Sequence, residues 1–281
     1  MASVYQIVTD KILAKLEQGE IPWRKPWVGG QQPVNWLTQK PYRGINSLLL
    51  DPGEYATFNQ VKKHNGKVKK GEKGQLVVFW KWIEIKENDN ETGEEEVKQR
   101  PLLRYYKVFE INSQVEGLES REKDRETYDH DPIEQAEAIV KGYKDRPEIK
   151  YAPGRACYNP MDDQVKVPEI SDFPNADEYY DTLFHELAHS TGHNKRLNRQ
   201  GVNMDILTGR ETYAKEELVA EIAAAMLCGQ AGISNDRNLE NTAAYLQGWK
   251  KAIKDDASLM VCSAGQAQKA ADYIIGACYS E

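Results

Sequence analysis

The sequence predicts an α+β chain built from two modules, and three features predict it. Residues up to about 112 mix basic and aromatic side chains and hold two strand-like runs, Gln75 to Ile85 and Val97 to Ile111. The remainder reads mainly as helices and contains a histidine pair at helical spacing. The charge also divides: Lys and Arg outnumber Asp and Glu by 18 to 14 in residues 1–112 and trail them by 19 to 30 in residues 113–281. Residues 1–83 alone carry 13 basic and 6 acidic side chains. The expected boundaries are 1–112, a charged linker at 113–131 that is poor in large aliphatics, and 132–281.

In chain order, residues 4–18 place Ile7, Val8, Ile12, Leu13 and Leu16 on one side of an amphipathic helix. A Pro-rich segment, Ile21 to Trp27, follows it, then Trp36, Lys40, Tyr42, Arg43, Gly44 and Asn46. Lys62, Lys63, Lys67, Lys69, Lys70 and Lys73 lead into the first strand, and Glu87 to Glu96 reads as the solvated tip of a hairpin. Five of the six tryptophans lie between Trp23 and Trp82, interleaved with cations. Single-stranded nucleic acid binds such a mixture, because cations follow the phosphates while flat rings stack on bases. From composition alone, the same aromatics suit a core equally well.

The second module carries His185-Glu186-Leu187-Ala188-His189. Asn175 is a candidate N-cap with Asp177 and Glu178 in the first turn, and Gly192 is a stop, so the segment is expected to be a helix. Histidines at i and i+4 share a helical face and can reach one ion, and the adjacent Glu186 is the candidate general base. His185 and His189 are therefore the first two candidate ligands of a Zn²⁺ ion, with another divalent metal such as Mn²⁺ as the alternative. His193 is disfavoured as the third ligand, because the three-histidine pattern H-E-x-x-H-x-x-G-x-x-H has Lys195 at its last position here.

The third ligand is sought in Thr208 to Met226. Thr208 and Glu211 read as a capping box, which places Glu217 and Glu221 inside a helix rich in Leu218, Val219, Ile222 and alanine. Carboxylates in such surroundings need a metal or a partner. Glu217 is the candidate third ligand and Glu221 the carboxylate that orients a ligand histidine, with Glu216 or Glu221 kept as alternative ligands. The arrangement resembles the two-helix sites of gluzincins. Tyr213 and His193 are candidate donors to a developing oxyanion. Arg155 to Pro168 reads as a hairpin, and Leu239–Asp256 and Gly265–Cys278 as further helices with Trp249, Ile253, Tyr273 and Ile274 in the core. Cysteines at 157, 228, 262 and 278 show no C-x-x-C spacing, so neither a disulfide framework nor a cysteine-bound metal is expected. No run is long enough to span a bilayer and no apolar leader is visible, so a soluble cytoplasmic protein is expected.

As a set, Pro22-Trp23-Arg24-Lys25-Pro26-Trp27, Tyr42-Arg43-Gly44-Ile45-Asn46, Thr57-Phe58 and Lys69-Lys70-Gly71-Glu72-Lys73-Gly74 resemble the N-terminal domain of the ArdC antirestriction family, which is also found fused to plasmid primases. His185 to His193, Arg196-Leu197 and Glu216 to Glu221 resemble that family's metallopeptidase domain. The resemblance implies a single-stranded DNA-binding domain of small sheet and helices joined to a zincin-like domain. Such proteins are carried on conjugative or other mobile elements and protect incoming DNA from host restriction. From the basic and aromatic residues of this module, Trp23, Arg24, Lys25, Trp27, Lys40, Tyr42, Arg43, Lys69, Lys70 and Lys73 are the candidate DNA contacts. The expected partners are single-stranded DNA and an unknown protein substrate, with the host restriction machinery as a candidate source. Two other readings stay open: a DNA-coating protein with a purely structural zinc, and a protease acting on DNA–protein crosslinks.

Overall fold

The computed structural model describes residues 3–18, 20–23, 32–88, 95–121, 132–199, 210–233 and 242–277. The α+β architecture is present, with the sheet-bearing part first and the helical part second. Helix α1, Val4–Glu17, starts where the Ser3 side chain accepts the Gln6 backbone N–H, and buries Val8, Ile12, Leu13 and Leu16. Strands β1 (Val34–Asn35) and β2 (Glu54–Thr57) are followed by β3 (Lys67–Val68) and two long strands, β4 (Gln75–Asn88) and β5 (Glu95–Glu110). The main sheet has the order β1-β2-β5-β4, with β1 and β2 parallel and the rest antiparallel.

The strands β4 and β5 pair from Gln75↔Val108 to Asn88↔Glu95, whereas β2 reaches β5 only at Val108, Phe109 and Glu110. Most of their length is thus a two-stranded ribbon. At its base one face, with Leu76, Val78 and Leu103, packs on α1, and the other, with Val77 and Val108, packs on Leu50 and Tyr55. Further out the cover thins: Trp80 still meets Tyr5 of α1 edge-on at 6.3 Å, and Phe79, Trp80, Trp82 and Tyr105 are exposed.

The segment Tyr42 to Asn46 leads into the short helix α2 (Ile45–Leu49) and completes the free edge of β4. The Asn46 amide accepts from the Val78 N–H at 2.9 Å and donates to the Val78 carbonyl at 2.8 Å, replacing a neighbouring strand. Gly44 has a φ of 56°, which a side chain would strain, and its N–H donates to Gln268 at 3.0 Å. Helix α3 (Phe58–Lys63) is entered through a capping box of Thr57 and Gln60.

The stretch expected to be a linker is ordered at its start. Helix α4 (Ile111–Gln114) runs into β6 (Val115–Glu116), which pairs with β3, and Val115 is buried with Trp36 and Val61. Charge density at 113–121 therefore marks a solvated surface over a small core, and Val115 and Leu118 are apolar residues that hold it down.

The C-terminal part contains α5 (Pro132–Gly142), β7 (Glu148–Tyr151), β8 (Cys157–Asn159), β9 (Gln164–Val167), α6 (Ala176–Ser190), α7 (Arg210–Ala231), α8 (Thr242–Asp255) and α9 (Leu259–Ile275). The expected hairpin is β8–β9, with Tyr158 opposite Val165, and β7 adds a parallel neighbour to β9 that the hairpin reading lacked. Of the expected core positions, Trp249, Ile253 and Ile274 are buried. Tyr273 is only half-buried, and its hydroxyl donates to Asp145 at 2.7 Å. Thr208 lies outside the described residues, and so does the side chain of Glu211. Among the described cysteines, Cys157 and Cys262 are exposed thiols, and Cys228 lies in the core, where its Sγ donates to Asp181 Oδ1 at 3.6 Å. No described helix is long and apolar enough to cross a membrane.

One apolar cluster joins the halves: α1, Trp23 and the ribbon base pack with Leu218, Val219 and Ile222 of α7, Trp249 and Ile253 of α8, and Met260 and Ala264 of α9. A second unites α5, the β7-β9-β8 sheet, α6 and the far side of α7. Helix α7 is thus buried on most sides, which explains its run of Ala and small apolar residues.

Candidate metal centre

Helix α6 begins at Asn175, whose side chain accepts the Glu178 N–H at 2.9 Å. Tyr180, Leu183, Phe184 and Leu187 are buried in the second cluster and fix the helix's rotation. That rotation turns His185 and His189 toward α7, while Glu186 is buried between them in sequence. Their Nε2 atoms stand 3.2 Å apart.

Glu217 of α7 reaches both, with its carboxylate 3.7 Å from His185 Nε2 and 3.3 Å from His189 Nε2. Among the described residues, His185, His189 and Glu217 are the group whose donor atoms could share one ion, all lying within 4.8 Å of one another. Around a tetrahedral ion with bonds of about 2.0–2.2 Å, donor atoms sit roughly 3.3–3.6 Å apart, which is the spacing seen here.

The far nitrogens of the two rings are also served. His189 Nδ1 lies 3.3 Å from Glu216 Oε1, and His185 Nδ1 lies 3.6 Å from Glu221 Oε2, just beyond hydrogen-bond reach. Each ring therefore has its own carboxylate behind it. Glu216 is in turn held by Arg199, whose Nε and Nη2 donate to it at 3.0 and 2.5 Å. The same guanidinium donates to Thr191 Oγ1 at 2.6 Å and to the Ala188 carbonyl at 2.8 Å, tying α7 to the last turn of α6.

The electrostatics follow from this packing. Burial opposes charge on His185, yet Glu217 and Glu221 overcome it and raise its pKa to about 10. Burial likewise lowers the His189 pKa, and Glu216 and Glu217 outweigh it. The Glu217 and Glu216 carboxyls are disfavoured by burial but held below the ordinary range, the first by the two imidazoles and the second by Arg199 and His189. Two imidazoles facing each other and a depressed carboxylate form a donor set suited to a divalent cation.

Arg199 and the role of Glu216 behind His189 were missed from sequence. The available signal was the Glu216-Glu217 doublet before an apolar run, since two adjacent acids there need two different partners. His193 is buried just past α6, and its Nδ1 accepts the Lys195 N–H at 3.3 Å. It does not join the donor cluster. Tyr213 lies on α7, and its side chain is outside the described residues.

The candidate DNA contacts fare differently. Trp23 is 1% exposed and packs edge-on against Trp249 at 5.4 Å, so it belongs to the core and has no free face for a base. Tyr42 is half-buried, edge-on to Tyr55, and Arg43 forms an ion pair with Asp272 of α9. These two residues join the halves of the molecule. Lys40, Lys70 and Lys73 are exposed, and Lys69 Nζ donates to the Ser113 carbonyl at 2.7 Å. Arg24, Lys25 and Trp27 lie outside the described residues.

A paired-histidine helix crossed by a glutamate-bearing helix, beside a small sheet, defines the class: residues 134–266 match the family described as zincin-like metallopeptidase. Residues 2–109 match the N-terminal domain of the anti-restriction factor ArdC. The crystal structure of the antirestriction protein ArdC from the R388 plasmid, metal-free, is 38% identical, with a TM-score of 0.76 and 97% of each chain covered. The Mn(II)-bound structure of that protein matches with the same TM-score and coverage at 35% identity. The chain belongs to the ArdC antirestriction family. An uncharacterized protein of Sinorhizobium fredii, y4eC, is 32% identical over 96% of this chain and 91% of its own length. The DNA primase TraC of Escherichia coli is 34% identical over 96% of this chain, which spans 20% of that longer protein.

Proposed function

We propose that this chain binds single-stranded DNA through residues 1–112 and carries a metallopeptidase site in residues 132–281, protecting the DNA of a mobile element from host restriction in the cytoplasm. The observation that carries the peptidase reading is the convergence of His185, His189 and Glu217 from two helices, with Glu186 buried beside them. A carboxylate standing behind each imidazole, Glu216 at 3.3 Å and Glu221 at 3.6 Å, is more than a buried histidine pair needs. Family membership supports the antirestriction role, and the basic excess of residues 1–83 supports DNA binding.

His185, His189 and Glu217 would hold Zn²⁺, or Mn²⁺ as in the R388 relative. Such an ion supplies Lewis acidity toward a carbonyl and lowers the pKa of a coordinated water toward about 7. Glu186 accepts the proton of the attacking water and delivers it to the leaving amine. Glu216 and Glu221 keep the two rings aimed, and Arg199 keeps Glu216 in place. Tyr213 and His193 are the candidates for donating to the developing oxyanion.

The test is Glu186→Gln, assayed for metal content, peptide hydrolysis and protection of incoming DNA. Loss of both hydrolysis and protection, with metal retained, is expected. Protection that survives the substitution would leave the chain a DNA-coating protein with a structural metal.

A further inference from the structure

Trp23 and Tyr42–Arg43 are committed to packing, so a DNA-binding module must present its rings elsewhere. The exposed aromatics of the described sheet lie together on the ribbon: Phe79 at 41%, Trp80 at 49% and Trp82 at 63% exposure on β4, and Tyr105 at 46% on β5. Pairing of Val78 with Tyr105, Trp80 with Leu103 and Trp82 with Pro101 puts Trp80, Trp82, Tyr105 and exposed Lys107 on one face. The opposite face carries Phe79, Lys81 and Arg104.

We propose that this stem of the β4–β5 ribbon is the seat on which single-stranded DNA stacks, with Trp80 and Trp82 as the platform. The proposal rests on the DNA-binding reading above and locates its surface. Three observations favour this occupant. First, cations border the rings on both faces of the stem, Lys107 two residues from Tyr105 on the platform face and Arg104 opposite Phe79 on the other, the composition that follows a phosphate chain while bases lie on rings. Second, residues i and i+2 on a strand stand about 6.6 Å apart, roughly twice the 3.4 Å spacing of stacked bases, so one base fits between flanking rings. Third, the stem is flanked by Lys69, Lys70 and Lys73 at its base and by Glu84, Glu87, Glu95 and Glu96 toward its outer end. Phosphates are attracted to the base and repelled from the tip, which confines the strand to the aromatic rows. A protein partner on the free edge of β4 would gain nothing from cations interleaved on both faces.

The experiment uses the full chain and a fluorescein-labelled oligothymidylate, read by anisotropy across a salt series. Trp80→Ala/Trp82→Ala is expected to weaken binding roughly 10- to 100-fold, while Trp82→Phe keeps most of the affinity. Lys107→Glu, on the platform face, is expected to weaken binding and flatten the salt slope. Trp82→Ala, the most exposed position, repeats the test without risk to the fold, and thermal melts accompany every variant. Wild-type binding with an undiminished double variant overturns the ribbon seat alone. Absence of wild-type binding overturns the DNA-binding reading itself. Equal affinity for duplex, or a change in sedimentation without a change in DNA affinity, also overturns the proposal and makes the ribbon a different interface.

Discussion

The metal centre and the ribbon are built on opposite plans. At the centre the polar groups are held from behind in series: His189 by Glu216, Glu216 by Arg199, and Arg199 by the end of α6. On the ribbon the rings and cations stand outside the core, with Trp82 63% exposed. Chemistry on a peptide needs atoms fixed in advance, since a small misplacement is costly in rate. A flexible polymer of variable sequence is better met by rings that can tilt to each base. The same chain therefore places buried charges where geometry matters and exposed aromatics where adaptability matters.

That contrast can be broken most sharply by two isosteric changes at the centre. Glu186→Gln is expected to lower peptide hydrolysis by roughly 10²- to 10⁴-fold with the melting temperature unchanged, because a general base is lost and no contact is deleted. Arg199→Met should cost about 3–5 kcal/mol in denaturant unfolding, since it leaves the buried Glu216 carboxylate without its partner. The metal affinity of the same variant should drop about 10- to 100-fold, because Glu216 no longer aims His189. A variant with normal metal affinity would show that the carboxylate behind the ring is dispensable.

A pair of tryptophan substitutions sharpens the comparison from the other side. Trp23→Ala should cost about 3–5 kcal/mol, as for a large core aromatic, and leave DNA affinity intact once folded. Trp82→Ala should change stability by no more than about 0.5 kcal/mol, as at other exposed positions.

The smallest expected effect is on acid stability. Burial raises the Asp163 pKa, but hydrogen bonds from Arg196 and Tyr158 outweigh it and hold the group below its ordinary value of 3.8. Its contribution is thus complete above that value and disappears as the pH falls through the lower folded-state value. Asp163→Asn should lower stability modestly at neutral pH, where that contribution is complete, and flatten the acid limb of the unfolding curve below about pH 4, so that the two proteins converge in acid.

Legibility in the sequence followed the range of each interaction. The i and i+4 histidines and the Asn175 cap rest on spacing within one helix, whereas Glu217 was chosen as an acid in the apolar surroundings of a second helix, and its carboxylate lies within reach of both rings. The long strands were readable from local alternation and an acidic turn. Arg199 was not, because its partner depends on how α7 crosses α6. Trp23 and Trp82 look alike in sequence, each a tryptophan among cations, and only the packing of α1 and α8 sends one inside. Asn46 shows the same limit: its amide completes a sheet edge 32 residues away, which no local pattern signals.

The central claim is that α6 and α7 converge to hold one divalent cation with two imidazoles and one carboxylate. Elemental analysis and metal titration of the wild-type chain beside Glu217→Ala test it most directly. One equivalent of metal in the wild type, and little or none in the variant at the same free concentration, is the predicted result. Metal retained at full stoichiometry and affinity by the Glu217→Ala variant would contradict it.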